Sequence, residues 1–292
     1  MRILTGIFIA ICAINSWAQN QRPYKIVLPF APSNNYGIAF NRVAEPLTAA
    51  AKASVIFDYQ VGANGLVAMH KFQALNDDRA FLVTNASVFT LMPMSQKVDY
   101  KPEDLEPLAI IGTSPMCYAT RSDVRDADFN RFVMATRGGF YGILSNTSIE
   151  AALLRHISKS ESLAQTPVAY KFYPDVVAAL LRGDIQWAIA PKIHCGRVPD
   201  SGPGIVELRN VPAKYDMDYW FGDYWWGIFS KKTMDRRTRE EFVDTFIDVW
   251  WQNKEAVSKT VTMPRKDLRH AEFKQFISGY GKKWEPLVKN ND

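Results

Sequence analysis

Strand-like and helix-like segments alternate from Tyr24 to about Ala190, and that alternation confines the chain to an α/β architecture. It opens with Arg22 to Leu47. There Tyr24 to Pro29 reads as a short apolar strand and Ala31 to Gly37 as a turn-forming loop. An amphipathic helix follows, with Phe40, Val43, Ala44 and Leu47 on its buried stripe. A strand that turns through polar residues into a helix N-terminus presents unpaired backbone N–H groups at one point. The positive end of the helix dipole lies behind them. Such a junction suits a small anion.

The same unit recurs along the chain. Ser54 to Tyr59 is a strand, Val61 to Gly65 a glycine turn, and Leu66 to Leu75 a helix. Phe81 to Thr84 is a strand that runs into Asn85-Ala86-Ser87 and the helical Val88 to Met92, and Leu108 to Gly112 and Met116 to Arg121 are further strands. Asp and Arg dominate Ser122 to Asn130, which marks entry into a second lobe. Ser145, Asn146 and Thr147 then precede a helix with Ile149, Leu153, His156 and Ile157 on one face, and a residue of this kind caps a helix well. Val168 to Phe172 reads as a strand. Pro174 fits the first position of the next helix, whose apolar side is Val176, Val177, Leu180 and Leu181 and whose exit is Gly183. Ile185 to Ala190 is a buried strand. Pro199 to Pro212 is loop-like, and the aromatic-dense Tyr219 to Phe229 reads as a strand returning between the lobes. Helices at about Asp235 to Lys254 and Lys266 to Trp284 close the chain.

The first residues follow an export pattern: Arg2, the apolar Ile3 to Ala13, and a small-x-small site at Ser16-Trp17-Ala18. The expectation is a leader over residues 1–18, cleaved near Ala18, and a periplasmic mature protein. No later run reaches the ~20 apolar residues of a spanning helix. With 47% hydrophobic and 22% charged residues the chain is globular. Its net charge of +5 carries no polybasic run, so nucleic acid and membrane surfaces are poor partners. Cys117 and Cys195 fall in segments assigned to different parts of the fold; an oxidising compartment permits a bridge between them, and two buried thiols are the preferred reading. His70, His156, His194 and His270 are scattered without metal-ligand spacing. No nucleophile elbow, zinc-protease helix or phosphate loop occurs. The expectation is a protein that is not an enzyme, with no cofactor and no metal. Trp220, Trp225 and Trp226 could form an aromatic cage for a cation; a hinge and inter-lobe core is the preferred reading.

These landmarks together resemble the substrate-binding proteins of the tripartite tricarboxylate transporter family, also called Bug or TctC-like proteins. The resemblance rests on RPYKIVLPFAP at Arg22 to Pro32, VGANG at Val61 to Gly65, and Asn85 to Ser87 followed by Pro93. It continues through VDYKPEDLEPLAIIG at Val98 to Gly112, AYK at Ala169 to Lys171, LLRGDI at Leu180 to Ile185, and the closing Trp284-Glu285-Pro286. It implies a two-lobe periplasmic binding protein fold, type II-like (a Venus flytrap), with two crossing hinge strands. Lobe 1 would comprise residues 19–121 plus 228–292, and lobe 2 residues 122–227. It also implies a monomer that holds a small organic acid in the cleft and hands it to membrane permease subunits.

Carried over position by position, the implied ligand contacts are Ser33, Asn34, Asn35 and Tyr36; Asn85, Ala86 and Ser87; Ser145, Asn146, Thr147 and Ser148; and Phe172 and Tyr173. The departures from the family pattern fall on the same loops. Gly-Gly-x-x-Asp is replaced by Ser33-Asn34-Asn35-Tyr36-Gly37, a later Arg by Asn41, the loop His by Ser148, and the Gly of PYKG by Phe172. Asn and Ser also favour turns and caps for purely local reasons, and Phe172 either fills the cleft or stacks on a ligand. The alternative function is a repurposed binding or sensor module for an amide or a cyclic acid. Pro46 lies inside the first helix, where Pro costs ~3 kcal/mol, so that helix is expected to bend or stop early.

Overall fold

The computed structural model describes residues 22–146, 148–196, 199, 201–222 and 224–289. The expected leader, residues 1–18, and Thr147 lie outside the described residues. In chain order the main elements begin with β1 (Tyr24–Leu28), α1 (Asn35–Ala51), β2 (Val55–Tyr59), α2 (Leu66–Ala74) and β3 (Ala80–Asn85). Then come β4 (Leu105–Thr113), β5 (Met116–Arg121), α3 (Phe129–Ala135), β6 (Phe140–Ile143), α4 (Ile149–Ser160), β7 (Thr166–Ala169) and α5 (Tyr173–Arg182). The chain continues with β8 (Trp187–Pro191), β9 (Ile205–Glu207), α6 (Met217–Phe221), β10 (Trp225–Lys231), α7 (Arg236–Gln252) and α8 (His270–Lys289). The strands form two five-stranded sheets, ordered β2-β1-β3-β10-β4 and β7-β6-β8-β5-β9.

The chain divides into two compact units. One holds residues up to Thr84 together with Glu103–Ile111 and Gly227–Ala271; the other holds Asn85–Pro102, Gly112–Trp226 and Glu272 onward. The division falls inside β3, β4, β10 and α8 and at Pro102, so the chain passes between the units five times. It assigns β5, residues 85–102 and most of α8 to the second unit, whereas the sequence reading had put them in lobe 1.

In the first unit β1 pairs in parallel with β2 and β3. All six residues of β3 are buried: Ala80 to Val83 form the apolar run expected of a covered sheet, and the polar Thr84 and Asn85 end it. The expected α1 stripe is in place, with Phe40, Val43 and Leu47 fully buried. Phe40 packs on Phe246 and Trp250 of α7 and edge-on against Phe57 of β2. Pro46 does not stop α1, which continues to Ala51. The missing N–H costs one helical bond, and the burial of Leu47 beyond it holds the last turn.

In the second unit β5 runs antiparallel to both β8 and β9, while β6 is parallel to β7 and β8. Trp187 is enclosed by Tyr118, Phe129 and Phe132 and donates its Nε1–H to Gln165 Oε1 at 3.2 Å. Cys117 and Cys195 are joined by a disulfide, which corrects the reading of two thiols. The β5–β8 register explains it. Cys117 stands opposite Ala190, and Lys192 N–H bonds Pro115 O, so the turn after β8 returns Cys195 to the start of β5.

Three further expectations shift. Tyr219 to Phe229 is not one strand, because Asp216 caps the short helix α6 by accepting Tyr219 N–H at 2.7 Å, and β10 begins only at Trp225. The strand expected at Val168 to Phe172 ends at Ala169, because Asp175 draws Phe172 N–H into the start of α5. Two short strands, β6 and β9, add to the second sheet. The tryptophans expected at an inter-lobe core pack inside the second unit: Trp225 against Phe89 and Phe273, and Trp220 against Trp284. No helix among the described residues is long and apolar enough to cross a membrane.

Candidate functional site

The first unit contributes the junction of β1 with α1. Asn34 has extended backbone and caps α1, its Oδ1 accepting Tyr36 N–H at 3.0 Å; Asn34 N–H in turn bonds Ala31 O. The cap takes one of the first-turn N–H groups that a helix cannot satisfy internally. Gly37 makes this turn possible. A Cβ there would stand 2.2 Å from Ala31 O and 2.7 Å from Pro32 O, so only glycine lets the incoming loop lie against the first turn. Ser33 and Asn34 are exposed and Asn35 is half-buried. Tyr36 is buried, its ring stacked on Phe30 with centroids 5.5 Å apart. The sequence grouped it with the loop as a phenol for ligand, whereas its ring packs in the core of the first unit.

The remaining candidates belong to the second unit. Asn85, Ala86 and Ser87 are all fully buried. Asn85 Oδ1 accepts Val88 N–H at 3.1 Å and so begins the π-helical turn Ser87–Leu91. Turns of that kind are frequent at functional sites. Asn85 Nδ2 is buried and meets no acceptor among the described residues. Ser87 Oγ shares a 3.1 Å hydrogen bond with Tyr224 OH.

Ser148 caps α4, its Oγ accepting Ala151 N–H at 3.3 Å, and its own N–H returns to Ser145 O. Asn146 is exposed; its carbonyl takes a 2.7 Å bond from Arg155. At the start of α5 Phe172 is 41% exposed, with Lys171 Nζ 5.4 Å from its ring centroid. Tyr173, beside it, turns its hydroxyl onto Glu150 Oε1 at 3.0 Å.

Two residues that sequence reasoning passed over stand among these candidates. Glu150, in the first turn of α4, is only 2% exposed. Burial raises its carboxyl above the ordinary range, opposed by hydrogen bonds from its own backbone N–H, the Tyr173 hydroxyl and the Ser148 hydroxyl. Burial also pushes the Tyr173 and Tyr224 phenols well up, and the charge of Glu150 adds to both. Glu150 looked like an ordinary acid complementing a helix dipole. The usable signal was its setting between Ile149 and Ala151-Ala152-Leu153-Leu154, where a solvated residue has no room. Tyr224 was hidden in the aromatic run read as one strand. The second unit thus brings together Ser148, Glu150 and Tyr173, and joins Ser87 to Tyr224. Ser33 to Tyr36 belong to the first unit.

Neither a family model nor a curated relative matches the chain. Solved structures do. MatC from Rhodopseudomonas palustris, with bound malate, superposes with a TM-score of 0.70 at 15% identity, over 91% of this chain and 99% of that one. The periplasmic binding protein BugD gives 0.68 at 16% identity, over 92% and 97%. Another R. palustris protein, solved with adipate, gives 0.70 at 14%, over 92% and 96%. The chain has the two-lobe α/β fold of the Bug-type periplasmic solute-binding proteins.

Proposed function

We propose that this protein is an exported, monomeric solute-binding protein that captures a small organic acid and delivers it to the permease subunits of a tripartite tricarboxylate-type transporter. One observation carries the reading. In each of the two units a strand end leads through a polar turn into a side-chain-capped helix N-terminus, β1 into α1 at Asn34 and β6 into α4 at Ser148. Backbone N–H groups at such points hold carboxylate oxygens without a basic side chain. The same fold carries malate in one solved relative and adipate in another. The proposed contacts are Ser33 to Asn35, Asn85 to Ser87, Ser145 to Ser148, and Phe172 with Tyr173.

The test is a thermal-shift screen of the purified mature chain against dicarboxylates, tricarboxylates, amino acids and aromatic acids, with sugars as controls. Hits are followed by titration calorimetry. A subset of the acids raises the melting temperature and the sugars do not. Ser145→Ala and Asn34→Ala each weaken the hit. A flat response across all four acid classes overturns the proposal.

A further inference from the structure

We propose that the second unit holds a ligand site apart from the candidate loops: a cavity beside α3 that takes a small amphipathic monoanion, an apolar alkyl or aryl body ending in one carboxylate. This goes beyond the organic-acid reading above and does not depend on it.

The cavity has a volume of about 460 Å³, within the range of small-molecule sites. One wall is the segment Val124 to Asp126, which follows β5. The other is α3 with its C-terminal cap, through Arg131, Phe132, Ala135 and Thr136. Those positions are spaced i, i+1, i+4 and i+5, so they share one side of the helix. Phe129 and Val133, on another side, are buried in the core. Phe132 lines the cavity yet is only 4% exposed, its ring edge-on to Trp187, so it forms the base. Val124 is half-buried and Ala135 exposed along the sides.

The charges decide what this cavity complements. Asp and Arg dominate Ser122 to Asn130, and in the structure most of these charges are engaged. Arg121 pairs with Asp123, and Arg131 Nε holds Asp126 Oδ2 at 2.7 Å. Asp128 caps α3 and takes Asn210 Nδ2 at 2.9 Å. Arg125 differs: it lines the cavity, is exposed, and has no hydrogen-bond or ion-pair partner among the described residues. The lining therefore carries two guanidinium groups and one carboxylate, and Arg131 already matches that carboxylate. One positive charge is left beside apolar walls. A guanidinium forks onto both oxygens of a carboxylate, and an apolar body attached to it covers Val124, Phe132 and Ala135. A diacid gains less, because its second carboxylate is pressed against apolar walls near Asp126. A cation meets Arg125.

Occupancy is readable from the core side. The carbonyl and hydroxyl of Thr136 accept Gln165 Nε2 at 3.0 and 3.1 Å, and Gln165 Oε1 accepts the Trp187 Nε1–H. Phe132 packs on the same indole. A ligand against Phe132 and Thr136 thus alters the surroundings of Trp187.

The experiment titrates the mature chain, labelled with fluorotryptophan, with para-butylbenzoate and with its neutral counterpart para-butylbenzamide. Affinity is taken from calorimetry, and the Trp187 fluorine resonance is assigned by its loss in Trp187→Phe. The acid moves that resonance saturably, and the amide binds about fivefold or more weakly. In Arg125→Gln the acid falls to the level of the amide. Ala135→Trp, a change at the surface that fills the cavity, abolishes the response to both. The proposal is overturned if the Trp187 resonance does not move, if acid and amide bind equally, or if neither variant changes the acid's affinity. It is also overturned if a saturating hit from the organic-acid screen displaces the compound, which would place it at the candidate loops. A flat organic-acid screen leaves this result intact, because both variants lie outside those loops.

Discussion

Reducing the Cys117–Cys195 disulfide removes a cross-link that closes a 78-residue stretch of chain. In the chain-entropy model a loop of that length restricts the unfolded state by about 15 cal/mol/K, or roughly 4.5 kcal/mol at 25 °C. The bridge is well placed to deliver most of that. Cys117 is fully buried on β5 in a cluster with Val176, Ala179, Leu180, Ile185 and Ala188, and Cys195 packs against the same cluster. The β5–β8 ladder and the Lys192 N–H bond to Pro115 O bring the chain after β8 back toward the start of β5. Both cysteines belong to the second unit, and the loss should be confined to it. The assay is urea unfolding with and without reductant, read by hydrogen exchange so that amides of β5 and β8 report separately from those of β1 and β3. With a slope of about 2–3 kcal/mol/M, the midpoint of the second unit falls by about 1.5–2 M, and that of the first unit stays. Two free thiols in the untreated native protein, or a midpoint shift below about 0.3 M, would refute the reasoning.

Gly37→Ala forces a Cβ into the Ala31 and Pro32 carbonyls, which are backbone and cannot swing aside. We expect a loss of about 1–3 kcal/mol in the first unit, measured by urea unfolding, together with weaker binding of the acid identified in the screen. Unchanged affinity would separate this turn from the ligand site. Pro46→Ala restores an N–H in the interior of α1, with a ceiling of about 3 kcal/mol of stabilisation. The melting temperature should rise while the ligand affinity stays, since position 46 lies far along the helix from Asn34. A fall in stability would mean that the ring packs better than its missing bond costs.

Where local chemistry decides structure, the chain was readable. The apolar stripe of Phe40, Val43 and Leu47, the Phe242, Phe246 and Trp250 register of α7, and the Gly183 exit from α5 each follow from spacing and backbone preference. The misses share a different cause. The strands β6 and β9 have four and three residues and owe their existence to neighbours: Tyr141 pairs with Trp187, and Ile205 with Arg121. Neither shows a period long enough to detect. The disulfide was missed because strand pairing, not sequence distance, brings Cys195 back to Cys117. Glu150 was missed for the corresponding reason on a helix. A charged residue in a first turn is favourable by the local rule, and only the packing of α5 and of the Tyr224 segment makes it a buried group.

That contrast bears on why the loops changed while the frame did not. A pocket built on basic side chains would tie the ligand to particular residues, and replacing them would abolish binding. Here the proposed anion contacts are main-chain N–H groups at α1 and α4. What the geometry requires of the sequence is little: a capping oxygen at Asn34 and at Ser148, and the absence of a Cβ at Gly37. The side chains around those points are free to be replaced without dismantling the anion site. On the proposed function, discrimination between acids would fall to buried polar side chains around those points. In this chain Asn85, on a loop the family resemblance already marks, has a buried donor with no acceptor among the described residues, whereas Glu150, buried beside the cap of α4, lies outside every matched motif.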